Sequence, residues 1–485
     1  MASSSNPIHA SPLESGTAKL AASPDGEAMA EAEADGVIEA IGASYWQHAL
    51  TFVMSVLFAA DAVEVSLLSF LYECVGAAFD LSTVRASSVV SIVFAGMVVG
   101  ALGAGSTADQ VGRKAISLGS ILCVAGFGFL SAYAANFDQF VALRFCVGVF
   151  IGTFAVPFDL LAEMVPAQTR GRALVWMQVG WALGAMYACA AAWVALPVGS
   201  WRALTVACSV PPALTFLALL YFLDESPRFL IASGRRAEAV VIFRRVAAKN
   251  GVAADPVVCD AIRRVEDGAD EASREPAREN PLAIARGKFA ALVAPEARAT
   301  TGPVWLIWFS FGLAYYGLTL LVTRVYGASS SSDDDDFTCN FKYGLIFAIF
   351  SSELAGSLLL VPAIDALGRV ACQVGCYVAV AACLVPVGVG AAGPFRFLCL
   401  YVALGAATAA SSATWVHVTE LYPTEIRSTA HTTAYVVSRF GAFASGYITA
   451  DDVPLSAACF VLVAVSVAAA LAARVLPETT SMRLD

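Results

Sequence analysis

The sequence predicts an all-α polytopic membrane protein, with twelve transmembrane helices in two pseudo-symmetric six-helix bundles. Three observations carry this reading. Of 485 residues, 58% are hydrophobic and 14% are charged, with a mean hydropathy of +0.72. A soluble domain usually has about 25% charged residues. The chain then offers about twelve apolar runs, each near the roughly 20 residues that a bilayer-spanning helix needs. Strands of a membrane barrel alternate apolar and polar residues, and these runs do not. Finally, two polar loop motifs of the first half recur in the second at nearly one offset.

Taken in order, residues 1–44 form a polar tail rich in Ala, Ser and Glu, without the basic and apolar regions of a signal peptide. It is expected to be disordered. Six spans follow at 46–71, 86–106, 115–134, 139–161, 173–196 and 203–223, making a first bundle over 45–223. Residues 224–302 carry both signs of charge, and "RRAEAVVIFRRVAAK" (235–249) reads as a short amphipathic surface helix. Spans at 303–326, 343–364, 370–391, 395–418, 430–449 and 454–476 make the second bundle, and 477–485 is a short tail.

Lys and Arg set the orientation. Arg113, Lys114, Arg170, Arg172, the central loop, Arg369 and Arg427 fall on one side, which is assigned to the cytoplasm with both termini. The opposite loops carry Glu73, Asp80, Asp138, "SSSSDDDD" and Asp451–Asp452. The net charge of −10 comes largely from the tail and "DDDD" at 333–336, and does not point to nucleic acid. Twelve cysteines are scattered without CxxC or Cys/His ligand spacing, so no metal is expected. Cys74 and Cys339 both fall in non-cytoplasmic loops, as a disulfide or as two free thiols. No P-loop, GxSxG or HExxH occurs, so the chain does not read as an enzyme or an ATP-driven pump, and no cofactor is expected.

The repeats carry the functional signal. "DQVGR" (Asp109 to Arg113) after helix two returns as "DALGR" (Asp365 to Arg369) after helix eight, 256 residues on. "EMVPAQTRGR" (Glu163 to Arg172) returns as "ELYPTEIRST" (Glu420 to Thr429), 257 residues on. Internal duplication of this kind is a hallmark of secondary transporters, whose substrate site lies between the halves near the bilayer midplane. Within "GSTADQVGRK", Gly105 allows close helix approach and Gly112 a turn with positive φ. Asp109 caps the next helix or meets a cation, and Arg113 and Lys114 hold the loop in the cytoplasm.

This loop and its echo (Asp365, Gly368, Arg369) resemble the signature of the major facilitator superfamily. "DESPRFL" (224–230) and "LPETT" (476–480) resemble the signatures of its sugar-porter and organic-ion-transporter branch. Leu223-Asp224 stands where a Leu-Pro is expected. The resemblance implies a cytoplasmic lock between the halves, with Glu163, Arg172, Glu225, Arg228, Glu420, Arg427 and Glu478 at its positions. "FAADAVEVSLLSFL", "WFSFGLAYYGLTLL", "SSELAG" and "SRFGAF" together look like the synaptic-vesicle-protein-related transporters. Tyr315-Tyr316 stands near the position of the sugar porters' Gln-Gln pair, whereas Gln178 in "QVGWALG" matches their helix-five glutamine and keeps a sugar substrate open.

Charges inside a membrane cost about 2.5–3.5 kcal/mol each at a helix centre and usually mark function. Asp61 and Glu64 lie three apart, read here as sharing one helix face. Arg144 opens an R-x-x-x-G-x-x-x-G pattern. The resemblance implies that Asp61 pairs with Arg144, either as a proton-operated switch or as a static buried pair. Glu353 sits about 18 Å along its helix from Asp365, as a coupling acid or a wetted rim acid. Arg439 either receives a substrate carboxylate or pairs with Glu353 or a loop acid. His417 reads as a structural histidine before a proton relay. Tyr315, Tyr316, Trp308 and Trp415 line a cavity or face lipid and helix interfaces.

The sequence thus predicts a multi-pass transporter of a small organic solute, preferably an organic ion, working by alternating access as a monomer in the bilayer and coupled to protons. A sugar or polyol porter is the alternative, and a non-transporting receptor or vesicle constituent is the second. The sequence does not name the organelle.

Overall fold

The computed structural model describes residues 24–198, 200–268, 281–327, 341–422 and 424–479. The N-terminal half comprises α1 (Pro24–Ile41), α2 (Tyr45–Ala78), α3 (Thr83–Val111), α4 (Arg113–Ser131), α5 (Phe137–Ile151), α6 (Ala155–Met164), α7 (Ala167–Val198) and α8 (Trp201–Phe222). Four short helices connect the halves: α9 (Pro227–Ala232), α10 (Arg236–Lys249), α11 (Pro256–Asp267) and α12 (Pro281–Leu292). The second half comprises α13 (Pro295–Tyr326), α14 (Tyr343–Leu367), α15 (Arg369–Gly388), α16 (Gly393–Leu421), α17 (Thr424–Ile448) and α18 (Leu455–Ala473).

Eleven helical stretches among the described residues are long and apolar enough to cross a bilayer, with α5 and α6 forming one of them. The twelfth span is α17. Its Ser, Thr and Arg residues lower its hydropathy, because its neighbours α13 and α3 cover it and little of it must be oily. The expected spans are mostly shorter than the helices. α2 has 34 residues and α13 has 32, so α13 starts well before the expected 303. The hydrophobic run marks only the part in lipid, and polar helical ends extend past it.

The halves repeat each other in close helix contacts. A Cβ on Gly180 of α7 would lie 1.9 Å from the Ser55 carbonyl oxygen of α2, and one on Gly312 of α13 would lie 1.9 Å from that of Ser438 on α17. Both pairs join the first and fifth spans of a half. Without a hydrophobic force between helices in lipid, association rests on such backbone approach.

The expected disordered tail needs correction over part of its length. α1 is an ordered helix whose Ala34, Val37, Ile38 and Ile41 are buried. It packs on α9, α10 and α11. Its acids are tied down as well: Asp35 pairs with Arg228 at 2.5 Å, Glu33 with Arg236 at 2.6 Å, and Glu39 accepts from the Ala167 N–H at 2.6 Å. Composition suggested disorder because most of the tail is polar. The apolar stripe that folds α1 occupies its last two turns. Residues 1–23, the "SSSSDDDD" loop and 480–485 lie outside the described residues.

Cys74 is disulfide-bonded, while the ten other cysteines among the described residues are free. Cys339, its expected partner, lies outside the described residues.

Gly180→Val should lower the melting midpoint in detergent by at least about 3 °C, since overpacking costs about 1–3 kcal/mol. Gly119→Ala, where the added Cβ meets nothing within 4 Å, should leave it unchanged.

Candidate functional site

A narrow cavity of about 20 Å³ lies between the halves. Its walls include Asp61 of α2, Gln178 and Trp181 of α7, Tyr315 and Tyr316 of α13, Trp415 of α16 and Arg439 of α17. Aromatic walls with a few polar groups are of the kind that suits small organic ligands. A hydrogen-bonded chain crosses between the halves here. The Trp181 indole donates to the Tyr315 hydroxyl at 2.5 Å, and Tyr315 donates to Glu353 at 2.8 Å. Arg439 donates to the Tyr316 hydroxyl at 2.5 Å and stacks 4.1 Å over the Tyr435 ring. Asp61 Oδ1, Gln178 Nε2 and Arg439 Nε are buried without hydrogen-bond partners. A buried polar atom left in this state costs about 1–3 kcal/mol, so these atoms mark where a ligand would bind.

The structure brings Tyr315, Tyr316, Gln178, Trp415 and Arg439 together as expected of cavity residues. It separates two other expected partners. Arg144 pairs with Glu64 at 2.8 Å, both fully buried, and donates to the Ser131 hydroxyl at 2.5 Å. The expected Asp61–Arg144 pair is therefore replaced by Glu64–Arg144. Three residues on a helix turn through about 300°, which leaves the two acids 60° apart. That angle sends Glu64 among α4 and α5, inside the first half, and Asp61 to the cavity facing Arg439. The alternative Glu353–Arg439 pair is also absent among the described residues, because the two adjacent tyrosine hydroxyls take one group each. Glu353 is fully buried behind Tyr315 and not at a wetted rim.

The loop motifs build a matched pair of clamps. Gly112 (φ +103°) and Gly368 (φ +91°) adopt backbone that side-chain-bearing residues rarely enter. Each turn faces a glutamate. Glu225 accepts the N–H groups of Arg113 at 2.8 Å and Lys114 at 3.1 Å, and Glu478 accepts those of Arg369 at 2.8 Å and Val370 at 3.0 Å. Arg113 lies 3.5 Å from Glu163, and Arg369 bonds Glu420 at 2.9 Å. The hydroxyl after each clamping acid completes the set: Ser226 donates to Glu163, and Thr479 to Glu420.

Among the described residues, the contacts recorded for these loops run within each half. The pairs recorded for Glu163, Glu225 and Glu420, and the backbone bonds accepted by Glu478, close within one half, because each loop folds back onto the helix end beside it. Asp365 pairs with Arg369 at 3.5 Å. Arg228 is taken by Asp35 of α1, Arg427 donates to the Tyr422 carbonyl at 3.2 Å, and Arg172 is exposed. The Asp109 side chain and the surroundings of Gly105 lie outside the described residues. His417 is a satisfied structural histidine, with Nδ1 2.7 Å from Gln373 and Nε2 3.0 Å from the Pro477 carbonyl oxygen.

Contacts that do cross between halves stand on both sides of the cavity. Toward the Cys74 end, the Tyr72 hydroxyl donates to Asp451 at 3.3 Å. Toward α9–α11, His431 of α17 lies 3.5 Å from Asp159 of α6. Sequence reasoning missed Trp181, Asp159 and His431. Trp181 sits one turn after Gln178 inside "QVGWALG" and shares its face, so helical spacing would have found it. Nothing in the sequence ties Asp159 to a residue 272 positions away.

The profile of the family "Sugar (and other) transporter" matches residues 37–481. The chain belongs to that family, within the major facilitator superfamily. This transporter is 30% identical over 467 residues to the synaptic vesicle 2-related protein of Pongo abelii, covering 93% of this chain and 81% of the relative. It is 29% identical over 436 residues to organic cation/carnitine transporter 7 of Arabidopsis thaliana, covering 84% and 86%. The proton:xylose symporter XylE bound to 6-bromo-6-deoxy-D-glucose superposes with a TM-score of 0.69 at 18% identity, covering 90% of this chain and 98% of that one. The inward-open XylE of E. coli does so at 0.68 and 17% identity, with the same coverage. These likenesses establish the fold.

Glu64→Gln leaves the Arg144 guanidinium buried without its counter-charge, which should cost about 3–5 kcal/mol. Thermal unfolding in detergent should show a clear loss, and adding Arg144→Met should restore most of it.

Proposed function

We propose that this protein is a secondary transporter that moves a small organic ion bearing a cationic group, in exchange for a proton, by alternating access. The observation that carries the reading is the unpartnered Oδ1 of Asp61, set in an aromatic-walled cavity between the halves. A cationic group meets both a counter-ion and ring faces there. Arg439 on the opposite wall already holds a tyrosine hydroxyl and a tyrosine ring, so it is the better satisfied of the two. The name of the plant relative, an organic cation/carnitine transporter, agrees with this class.

Proton coupling follows from competition. A carboxylate holds either a proton or an organic cation, so the two travel in opposite directions. Asp61 is the coupling group in this cycle, and the Glu64–Arg144 pair orders α2, α4 and α5. Rocking of one half against the other exposes the cavity to alternate sides. We assign the α9–α11 face to the cytoplasm. Lys and Arg gather there, and the disulfide-bonded Cys74 at the other end fits an oxidising compartment.

A second reading is supported by Gln178, whose Nε2 is buried without a partner in the same cavity, and by the fold shared with XylE. On this reading the substrate is a sugar or polyol.

Uptake into proteoliposomes tests both. With an acid interior, radiolabelled tetraethylammonium or carnitine should accumulate, up to about tenfold per pH unit for one-for-one exchange, since one unit is worth about 1.4 kcal/mol. Asp61→Asn should abolish the dependence on the gradient. Gradient-independent flux of the wild type, unchanged by Asp61→Asn, would sink proton exchange. Uptake of xylose without either cation would favour the second reading, and no flux of any solute would overturn transport.

A further inference from the structure

We propose that His431 and Asp159 form a proton-tightened latch that closes the cavity toward the α9–α11 face, distinct from the cavity acid. Three features of the geometry carry this. The contact joins the halves, with Asp159 on α6 of the first and His431 on α17 of the second. It lies between the cavity and the α9–α11 face. His431 is eight residues, about 12 Å, from Arg439 toward the start of α17. Asp159 is one turn from Glu163 and its clamp. Finally, Trp415 belongs to both places. It lines the cavity and also packs on the His431 ring at 4.9 Å, so the latch holds the cavity floor.

The chemistry around the ring suits a cation. His431 is 2% exposed, with the rings of Phe158 at 5.5 Å, Trp308 at 5.6 Å and Trp415 at 4.9 Å. Nδ1 is 3.5 Å from the Asp159 carboxylate, and Nε2 has no partner. A separation of 3.5 Å is too long for a good hydrogen bond, so a neutral ring gains little there. A protonated ring gains the Asp159 carboxylate as a counter-ion. Asp159 is 36% exposed, which gives the pair a path to water.

Among the described residues, no other charged group is recorded within ion-pair distance of His431 or Asp159. α13 and α16 present Trp308 and Trp415. On α17 itself, Arg427 donates to Tyr422, and Tyr435 turns its ring to Arg439. From α3, Arg85 pairs with Asp138 near the opposite end. α12 carries Arg286 and Lys288, neither of them within ion-pair distance of Asp159. Histidine is the side chain whose charge changes nearest neutral pH. The sign is fixed: the latch is strongest when His431 is protonated, and weakens as pH rises. Acidification of the α9–α11 side therefore favours the closed floor.

The test needs no substrate, and its outcome is independent of whether Asp61 exchanges protons. Ser411, which lines the cavity, is replaced by Cys. A cationic methanethiosulfonate is added to membrane vesicles that expose the α9–α11 face, and labelling of residue 411 is followed by peptide mass spectrometry. Rates are divided by those of the same reporter carrying His431→Gln at each pH, which cancels thiol ionisation and the titration of every other acid. The ratio should be near one at pH 8.5 and fall about fivefold by pH 5.5, across the range where histidine gains its proton. Asp159→Asn should remove the fall, and does so at a half-exposed position if His431→Gln fails to fold. Emission from Trp308 and Trp415 should also drop on acidification in the wild type and not in His431→Gln, because imidazolium quenches indole. A ratio constant across pH, or a fall retained in Asp159→Asn, overturns the latch.

Discussion

A glutamate carboxylate seated on a glycine turn fixes each half of this transporter. The first N–H groups of a helix have no partner within it. At the start of α4 and of α15 the chain meets that demand with Glu225 and Glu478, which arrive from the segments after the sixth and twelfth spans. An anion at a helix N-terminus is also favoured by the helix dipole. The turn must be glycine, since a Cβ on Gly112 or Gly368 would lie 2.2 Å or 2.5 Å from the glutamate oxygen. Each clamp therefore ties the last span of a half to its third, and through Arg113–Glu163 or Arg369–Glu420 to its fourth.

Rigid halves push change to the interface between them. Inside a half, glycine backbones touch and buried charges are paired. Between halves, the polar contacts among the described residues include Tyr72 to Asp451, Trp181 to Tyr315 and His431 to Asp159, beside ring packing such as Phe94 on Tyr316 and Phe158 on Trp415. Such polar contacts exchange water for protein partners at small net gain, about 0.5–1.5 kcal/mol for a neutral hydrogen bond.

The architecture was legible because lipid imposes it. Apolar runs and the repeat offset pointed to the spans and to two repeated halves, though not to the polar ends of the helices. The residues of the clamps were legible for the same reason, since the duplication repeats them. Their connections were not. Glu163, Glu225, Glu420 and Glu478 are near their arginines in space, but a linear motif does not say whether an acid turns toward its own half or the other. α1 was missed because its stripe of Ala34, Val37, Ile38 and Ile41 is short and sits in a polar tail. Of the cavity walls, Gln178, Tyr315, Tyr316, Trp415 and Arg439 stood out in the sequence, whereas Asp61 was expected to pair with Arg144. Asp159 and His431 are anomalies as well, but single ones near span ends, where polar residues are expected.

Asp61 and Glu64 show why a buried charge need not be a coupling group. Both are fully enclosed on one helix, and both face an arginine. Glu64 and Arg144 belong to the same half, so rocking moves them together and their separation of 2.8 Å persists. A proton placed on Glu64 would cost the same in each conformation, and a ligand with equal affinity for two states shifts nothing. Asp61 and Arg439 belong to different halves. Their separation, and the water or solute between them, changes whenever the halves move. On the proposed reading, protonation of Asp61 would be worth more in one conformation than in the other, which is what a proton-driven cycle requires. The same reasoning applies to His431 and Asp159, which face each other across the interface. In this fold a titratable group gains control of the cycle by having its counter-charge in the opposite half.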